Sequence, residues 1–183
     1  VVNGGQLTLS GVRLQNGHAG LGNGGGVLVQ GTGSKLRMTG GGIFNCTAFH
    51  GGGVALESGS EGTLFEVPVA HCTATENWGG ALYVAVCRVH IVLCHDPTHT
   101  SLRTSDPSCK RQPLLNSLTC VSHTPQANAR ALVVKSEWTR NEARRGGGSY
   151  IDGVARFEDV NVTDCHARNW GGSFYPAPKT GDI

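Results

Sequence analysis

The chain has 183 residues, of which 28 are glycine and 15% are charged, and its formal charge is +2. Glycine stands well above its usual share of about 7%, and charge well below the roughly 25% of an ordinary soluble domain. That low charge argues against disorder. Nor is there a basic stripe for nucleic acid, because Lys110-Arg111 and Arg144-Arg145 are isolated pairs.

No run of 18 apolar residues occurs, so no membrane span is expected. The length allows one domain. The chain opens on Val1-Val2-Asn3-Gly4-Gly5, which reads as strand and turn and lacks the basic and apolar pattern of a secretory signal. We read residues 1–183 as one segment from the middle of a longer protein.

Taken in chain order, the sequence is a set of similar units. The first has a turn at 3–5, then Gln6-Leu7-Thr8-Leu9, then Leu14-Gln15-Asn16 and Ala19. The second runs from Gly24-Gly25-Gly26-Val27 through a turn at 31–34 to Lys35-Leu36-Arg37-Met38-Thr39, and on to Ile43-Phe44-Asn45-Cys46-Thr47-Ala48. The third repeats it: Gly51-Gly52-Gly53-Val54, a turn at 58–62, Thr63-Leu64-Phe65, and Val69-Ala70-His71-Cys72-Thr73-Ala74. A fourth begins at Gly79-Gly80-Ala81-Leu82-Tyr83-Val84 and ends in Ala131–Ala143 with Asn141. A fifth runs from Gly146-Gly147-Gly148 to Cys165-His166-Ala167, and Asn169-Trp170-Gly171-Gly172 copies Asn77-Trp78-Gly79-Gly80.

Glycine pairs mark the units: Gly25-Gly26, Gly52-Gly53, Gly79-Gly80, Gly147-Gly148 and Gly171-Gly172, at spacings of 27, 27, 68 and 24. Alternation in Leu7–Ser10 and Phe157–Val162 has the strand period, and no segment sustains a 3.6-residue period. A unit of this length is too short to bury its own core, so the units stack. Each strand then pairs with its equivalent one coil away, about 4.8 Å distant. The marker glycines are expected to supply positive φ at sharp turns.

The expected fold is therefore all-β: a right-handed, single-stranded parallel β-helix, or solenoid, of about five coils. The long spacing places a loop insertion at 86–130, within the coil that starts at Gly79. That stretch is rich in Cys, His, Pro, Ser and Thr and contains no glycine.

Asn16, Cys46, Cys72, Asn141 and Cys165 are expected to share one coil position. They read as a buried ladder of small residues. Cys46 and Cys72 would also stand within disulfide range on adjacent coils, so the pair reads as ladder or as disulfide. Cys87, Cys94, Cys109 and Cys120 lie in the insertion with His90, His95, His99 and His123, but their spacing lacks the tight pairs that zinc requires. Gly20-Leu21-Gly22-Asn23-Gly24-Gly25 opens no helix, so it is no dinucleotide site. No cofactor and no metal are expected.

With the Gly-Gly-aliphatic motif, the Asn or Cys, and the following Ala in place, the units resemble the repeats of polymorphic outer-membrane proteins. Gly79-Gly80-Ala81-Leu82-Tyr83 is closest to that pattern. They also look like β-helix repeats of the pectin-lyase-like superfamily. The resemblance covers 1–85 and 131–176. It implies a surface role as adhesin or autotransporter passenger.

An enzyme on such a fold needs clustered carboxylates with a nearby Arg or Lys. The densest set here is Glu158, Asp159 and Asp164 near Arg156 and Arg168, so Asp159, Asp164 and Arg168 are the weak catalytic candidates. Against them stands a solvated strand face. Asn45-Cys46-Thr47 and Asn161-Val162-Thr163 are glycosylation sequons. The expected function is a non-catalytic extracellular or cell-surface segment that binds a glycan or a cell-surface protein. The alternative is a fragment of a carbohydrate-active, pectin-lyase-like enzyme.

Overall fold

The computed structural model describes residues 1–2, 4–85 and 129–176, and among them it is all-β. The first coil supplies β1 (Gln6–Ser10) and β2 (Arg13–Gln15). The second supplies β3 (Val27–Gln30), β4 (Lys35–Thr39), β5 (Gly42–Phe44) and β6 (Thr47–Ala48). The third supplies β7 (Val54–Glu57), β8 (Glu61–Phe65), β9 (Val69–Ala70) and β10 (Thr73–Ala74). In the fourth come β11 (Leu82–Ala85), β12 (Arg130–Val134), β13 (Glu137–Thr139) and β14 (Glu142–Arg145). The fifth has β15 (Ser149–Asp152), β16 (Val154–Glu158), β17 (Asn161–Thr163) and β18 (His166–Trp170), and β19 (Phe174–Pro176) follows.

Equivalent strands stack in parallel, as a solenoid of about five turns, into four sheets. Sheet A is β3-β7-β11-β15-β19 and sheet B is β1-β4-β8-β12-β16. Sheet C is β2-β5-β9-β13-β17 and sheet D is β6-β10-β14-β18. Residues 86–128 stand in the chain between β11 and β12, where coils two, three and five have their first turn. The rest of the insertion read from the sequence belongs to the coil: Ala129 is buried, and the amide of Arg130 donates to the Ser60 carbonyl.

Like packs on like inside. Sheet A sends in Val27, Val54 and Leu82 as one column and Val29, Leu56 and Val84 as the next, all buried. Sheet B contributes Leu36, Met38, Leu64 and Val133, and sheet C contributes Ile43, Val69 and Trp138. In sheet D the buried column is Ala48, Ala74 and Ala143.

Each corner on either side of sheet C has a residue in the left-handed region, and in the second coil Gly40 is followed by Gly41, also at positive φ. Between sheets B and C these are Gly11, Gly40, Glu66, Lys135 and Asp159, with φ from 49° to 63°. Between sheets C and D they are Asn16, Asn45, His71, Arg140 and Asp164, with φ from 51° to 58°. Gly, Asn and Asp tolerate this conformation, while other residues lose roughly 1–2 kcal/mol there.

Two expectations are corrected. Asn16 is not in the buried ladder: Gln15 pairs with Phe44, so Asn16 stands opposite Asn45 at the corner and Gly17 stands opposite Cys46. The ladder is Gly17, Cys46, Cys72, Asn141 and Cys165. The glycine pairs are also not one motif in one register. The left-handed column is Gly24, Gly51, Gly79, Gly146 and Gly171, φ 60° to 68°. Of the ten marker glycines only Gly79 and Gly171 have positive φ. In the next column, Gly25, Gly52, Gly80 and Gly147 are needed for close approach instead, while Gly172 at its end is not crowded. A Cβ on Gly52 would stand 2.7 Å from the Gly80 carbonyl oxygen in the next coil. The third column, Gly26, Gly53 and Gly148, admits Ala81 and Ser173 at its other two positions.

Candidate functional site

Sheet A has a second apolar face, opposite the core. Strand alternation that sends Leu82 and Val84 inward sends Tyr83 outward, and the register stacks it with Leu28, Ala55, Tyr150 and Tyr175. Beside this column runs another, from the residue before each left-handed glycine: Asn23, His50, Trp78, Arg145 and Trp170. The rungs bring the rings together. His50 stacks on Trp78 at 4.8 Å and 11°, and Trp78 on Tyr150 at 4.8 Å and 13°. Tyr83 and Tyr150 lie 5.7 Å apart, as do Tyr150 and Tyr175. The guanidinium of Arg145 sits 4.4 Å over the Trp170 ring.

Rings stacked along the axis spend their faces on one another and turn their edges away from the solenoid. Tyr83 and Tyr150 are 8% and 7% exposed, whereas Trp170 is 53% exposed. Three sheltered polar atoms in this patch have no hydrogen-bond partner: His50 Nδ1, Trp78 Nε1 and Arg145 Nε. Buried polar groups are nearly always satisfied. Burial lowers the His50 pKa to about 4, so its ring is neutral at neutral pH. At the edge of the patch Asn23 donates to the Glu57 carboxylate, and burial raises the Glu57 pKa against that bond.

The sequence reading missed this ladder. Its signal was present: each tyrosine falls four residues after a left-handed glycine, and the two Asn-Trp-Gly-Gly copies place the tryptophans. A second, shallower feature lies on the outer face of sheet B. It is a groove of about 250 Å³ lined by Gln6, Thr8, Lys35, Arg37, Glu61 and Thr63, bridged by a Lys35–Glu61 ion pair at 3.1 Å.

The acidic candidates are not drawn into one site. Asp159 is a left-handed corner residue before β17, and Asp164 is a left-handed corner residue after it. Both are there because Asp tolerates that conformation. Arg168 turns to Glu142 of the coil below, with Nε and Nη2 each 2.9 Å from the same carboxylate oxygen. Both sequon residues, Asn45 and Asn161, are exposed. The cysteines and histidines of the insertion lie outside the described residues. Among the described residues no group of three His, Cys, Asp or Glu side chains is placed to hold a metal ion, and no helix is long and apolar enough to cross a membrane.

The fold is that of a parallel β-solenoid, and the patch is an aromatic face on one of its sheets. Comparison with known proteins found no matching family model, no matching curated protein and no matching solved structure.

Proposed function

We propose that this solenoid segment is a non-catalytic binding surface of an extracellular or cell-surface protein, and that the aromatic face of sheet A meets a glycan or partner protein. The observation that carries the reading is the aromatic ladder on the outer face of sheet A, which runs out to an exposed Trp170. The core does not need these aromatics, since they lie on the other side of the sheet. Aromatic surfaces with a few directed polar groups are what recognition sites are made of. The likeness to polymorphic outer-membrane protein repeats supports a surface location, and the likeness to pectin-lyase-like repeats supports a carbohydrate as ligand.

The test is binding to a panel of immobilised glycans, with and without Trp170→Ala. Retention on at least one glycan class, weakened tenfold or more by Trp170→Ala with the fold intact, supports the reading. Accumulation of unsaturated uronate absorbance on pectic or alginate-type substrates, lost in Asp159→Asn or Asp164→Asn, would replace it with the lyase alternative.

A further inference from the structure

We propose that Cys46 and Cys72 form a disulfide that staples the second coil to the third. In the β6–β10 pairing Thr47 faces Thr73 and Ala48 faces Ala74. The residues just before them therefore stand on neighbouring rungs, about 4.8 Å apart, inside the Cα range of roughly 4.4–6.8 Å that a disulfide spans. The register is held at this point, since the Thr73 amide donates to the Cys46 carbonyl at 2.9 Å. Both side chains are free thiols with zero exposure.

Cys46 Sγ donates to the Phe44 carbonyl at 3.2 Å; Cys72 Sγ donates to the Ala70 carbonyl at 3.5 Å and lies 3.9 Å from the Ile43 carbonyl of the coil below. Their other ladder neighbours do not compete. Gly17 has no side chain on one side. On the other, Asn141 is engaged with the backbone of Cys72 and Val69 and separates Cys72 from Cys165.

An oxidant does not reach either sulfur in the closed coil, so the bond forms as the coils close. The oxidant is a small-molecule disulfide, RSSR. The thiolate of one cysteine attacks one of its sulfurs, the S–S bond breaks, and RS⁻ leaves as a protein–S–SR mixed disulfide forms. The other cysteine then gives up its proton and attacks the protein sulfur of that mixed disulfide, and the second RS⁻ leaves. The two protein thiols lose two electrons, and one RSSR becomes two RSH, which take up the two thiol protons.

The whole chain is refolded with oxidised glutathione and digested after glutamate, which separates the two cysteines because Glu57, Glu61 and Glu66 lie between them. The expected product is a Cys46–Cys72 linked peptide, two hydrogens lighter than its parts, that reduction splits. The oxidised chain is expected to melt roughly 5–10 °C above the reduced chain, a difference that Cys72→Ala removes. Should that variant not refold, Cys46→Ala reads the same difference. Recovery of both cysteines as free thiols, linkage of either to another cysteine, or an unchanged melting point in the linked chain overturns the proposal.

Discussion

The carboxamide of Asn141 completes the backbone of Cys72 in the neighbouring coil. Its Oδ1 accepts the Cys72 amide at 2.9 Å, and its Nδ2 donates to the Val69 carbonyl at 2.9 Å. All of this is fully buried. Asn141→Ala leaves a buried donor and a buried acceptor unpaired, each costing about 1–3 kcal/mol. We expect a loss of roughly 2–5 kcal/mol in urea unfolding. Asn141→Asp keeps the acceptor but loses the donor and buries a charge, so it is expected to be no better than alanine at pH 7. A loss below about 0.5 kcal/mol for Asn141→Ala would remove the ladder from the account of stability.

The left-handed columns separate two costs. At Gly11, φ +63°, a Cβ would meet nothing within 4 Å, so Gly11→Ala carries only the conformational penalty, about 1–2 kcal/mol. At Gly51, φ +60°, the same Cβ collides with the Val54 carbonyl oxygen. Gly51→Ala is expected to lose roughly 3 kcal/mol or more. In the same column as Gly11, the exposed Glu66 holds φ +56°. Glu66→Gly is expected to gain about 0.5–1 kcal/mol, because relief of strain exceeds the added freedom of the unfolded chain. Thermal or urea unfolding of the three variants orders them.

The pH profile follows from His50. Its folded pKa is lowered from 6.5 to about 4 by burial. The unfolded chain therefore binds the proton first, so stability is complete above pH 6.5 and falls as pH drops toward 4. After allowance for the partial solvent contact of the ring, the loss is on the order of 1 kcal/mol. Glu57 works the other way, since its raised pKa favours the folded state at low pH. His50→Phe keeps the stack on Trp78 and Tyr83 but does not titrate. Its stability is expected to fall less between pH 6.5 and 4 than that of the parent chain, and an identical fall in both would assign the slope to other groups.

Trp138 is the largest fully buried side chain, set edge-to-face on Phe157 at 5.7 Å. Its Nε1 has no hydrogen-bond partner. Trp138→Ala is expected to lose about 3–5 kcal/mol by opening a cavity. Trp138→Phe keeps most of the ring and removes the unsatisfied donor, so its loss is expected to be under about 2 kcal/mol. Equal losses in the two variants would mean that the indole N–H is satisfied in solution.

Much of the architecture is legible in the residues alone. A stacked coil places each residue against its own counterpart, so the space available at one position is the same in every coil. That is why Ala48, Ala74 and Ala143 recur, and why Cys46 and Cys72 stand in one column. The period and the parallel stacking follow from that recurrence. So does the place of the insertion, between β11 and β12.

What the recurrence could not decide was register to a single residue. A one-residue slip exchanges the two faces of a strand, and runs such as Gly24-Gly25-Gly26 look alike under such a slip. Only the strand pairing moved Asn16 to the corner and Gly17 into the ladder. It also separated the glycines that need positive φ from those that need close approach. The aromatic face was decided there too: His50, the Trp78–Tyr83 pair and Tyr150 come from three successive coils, and the stacking of those coils brings their rings together. The separation of Asp159 and Asp164 at two corners and the pairing of Arg168 with Glu142 across coils have the same origin.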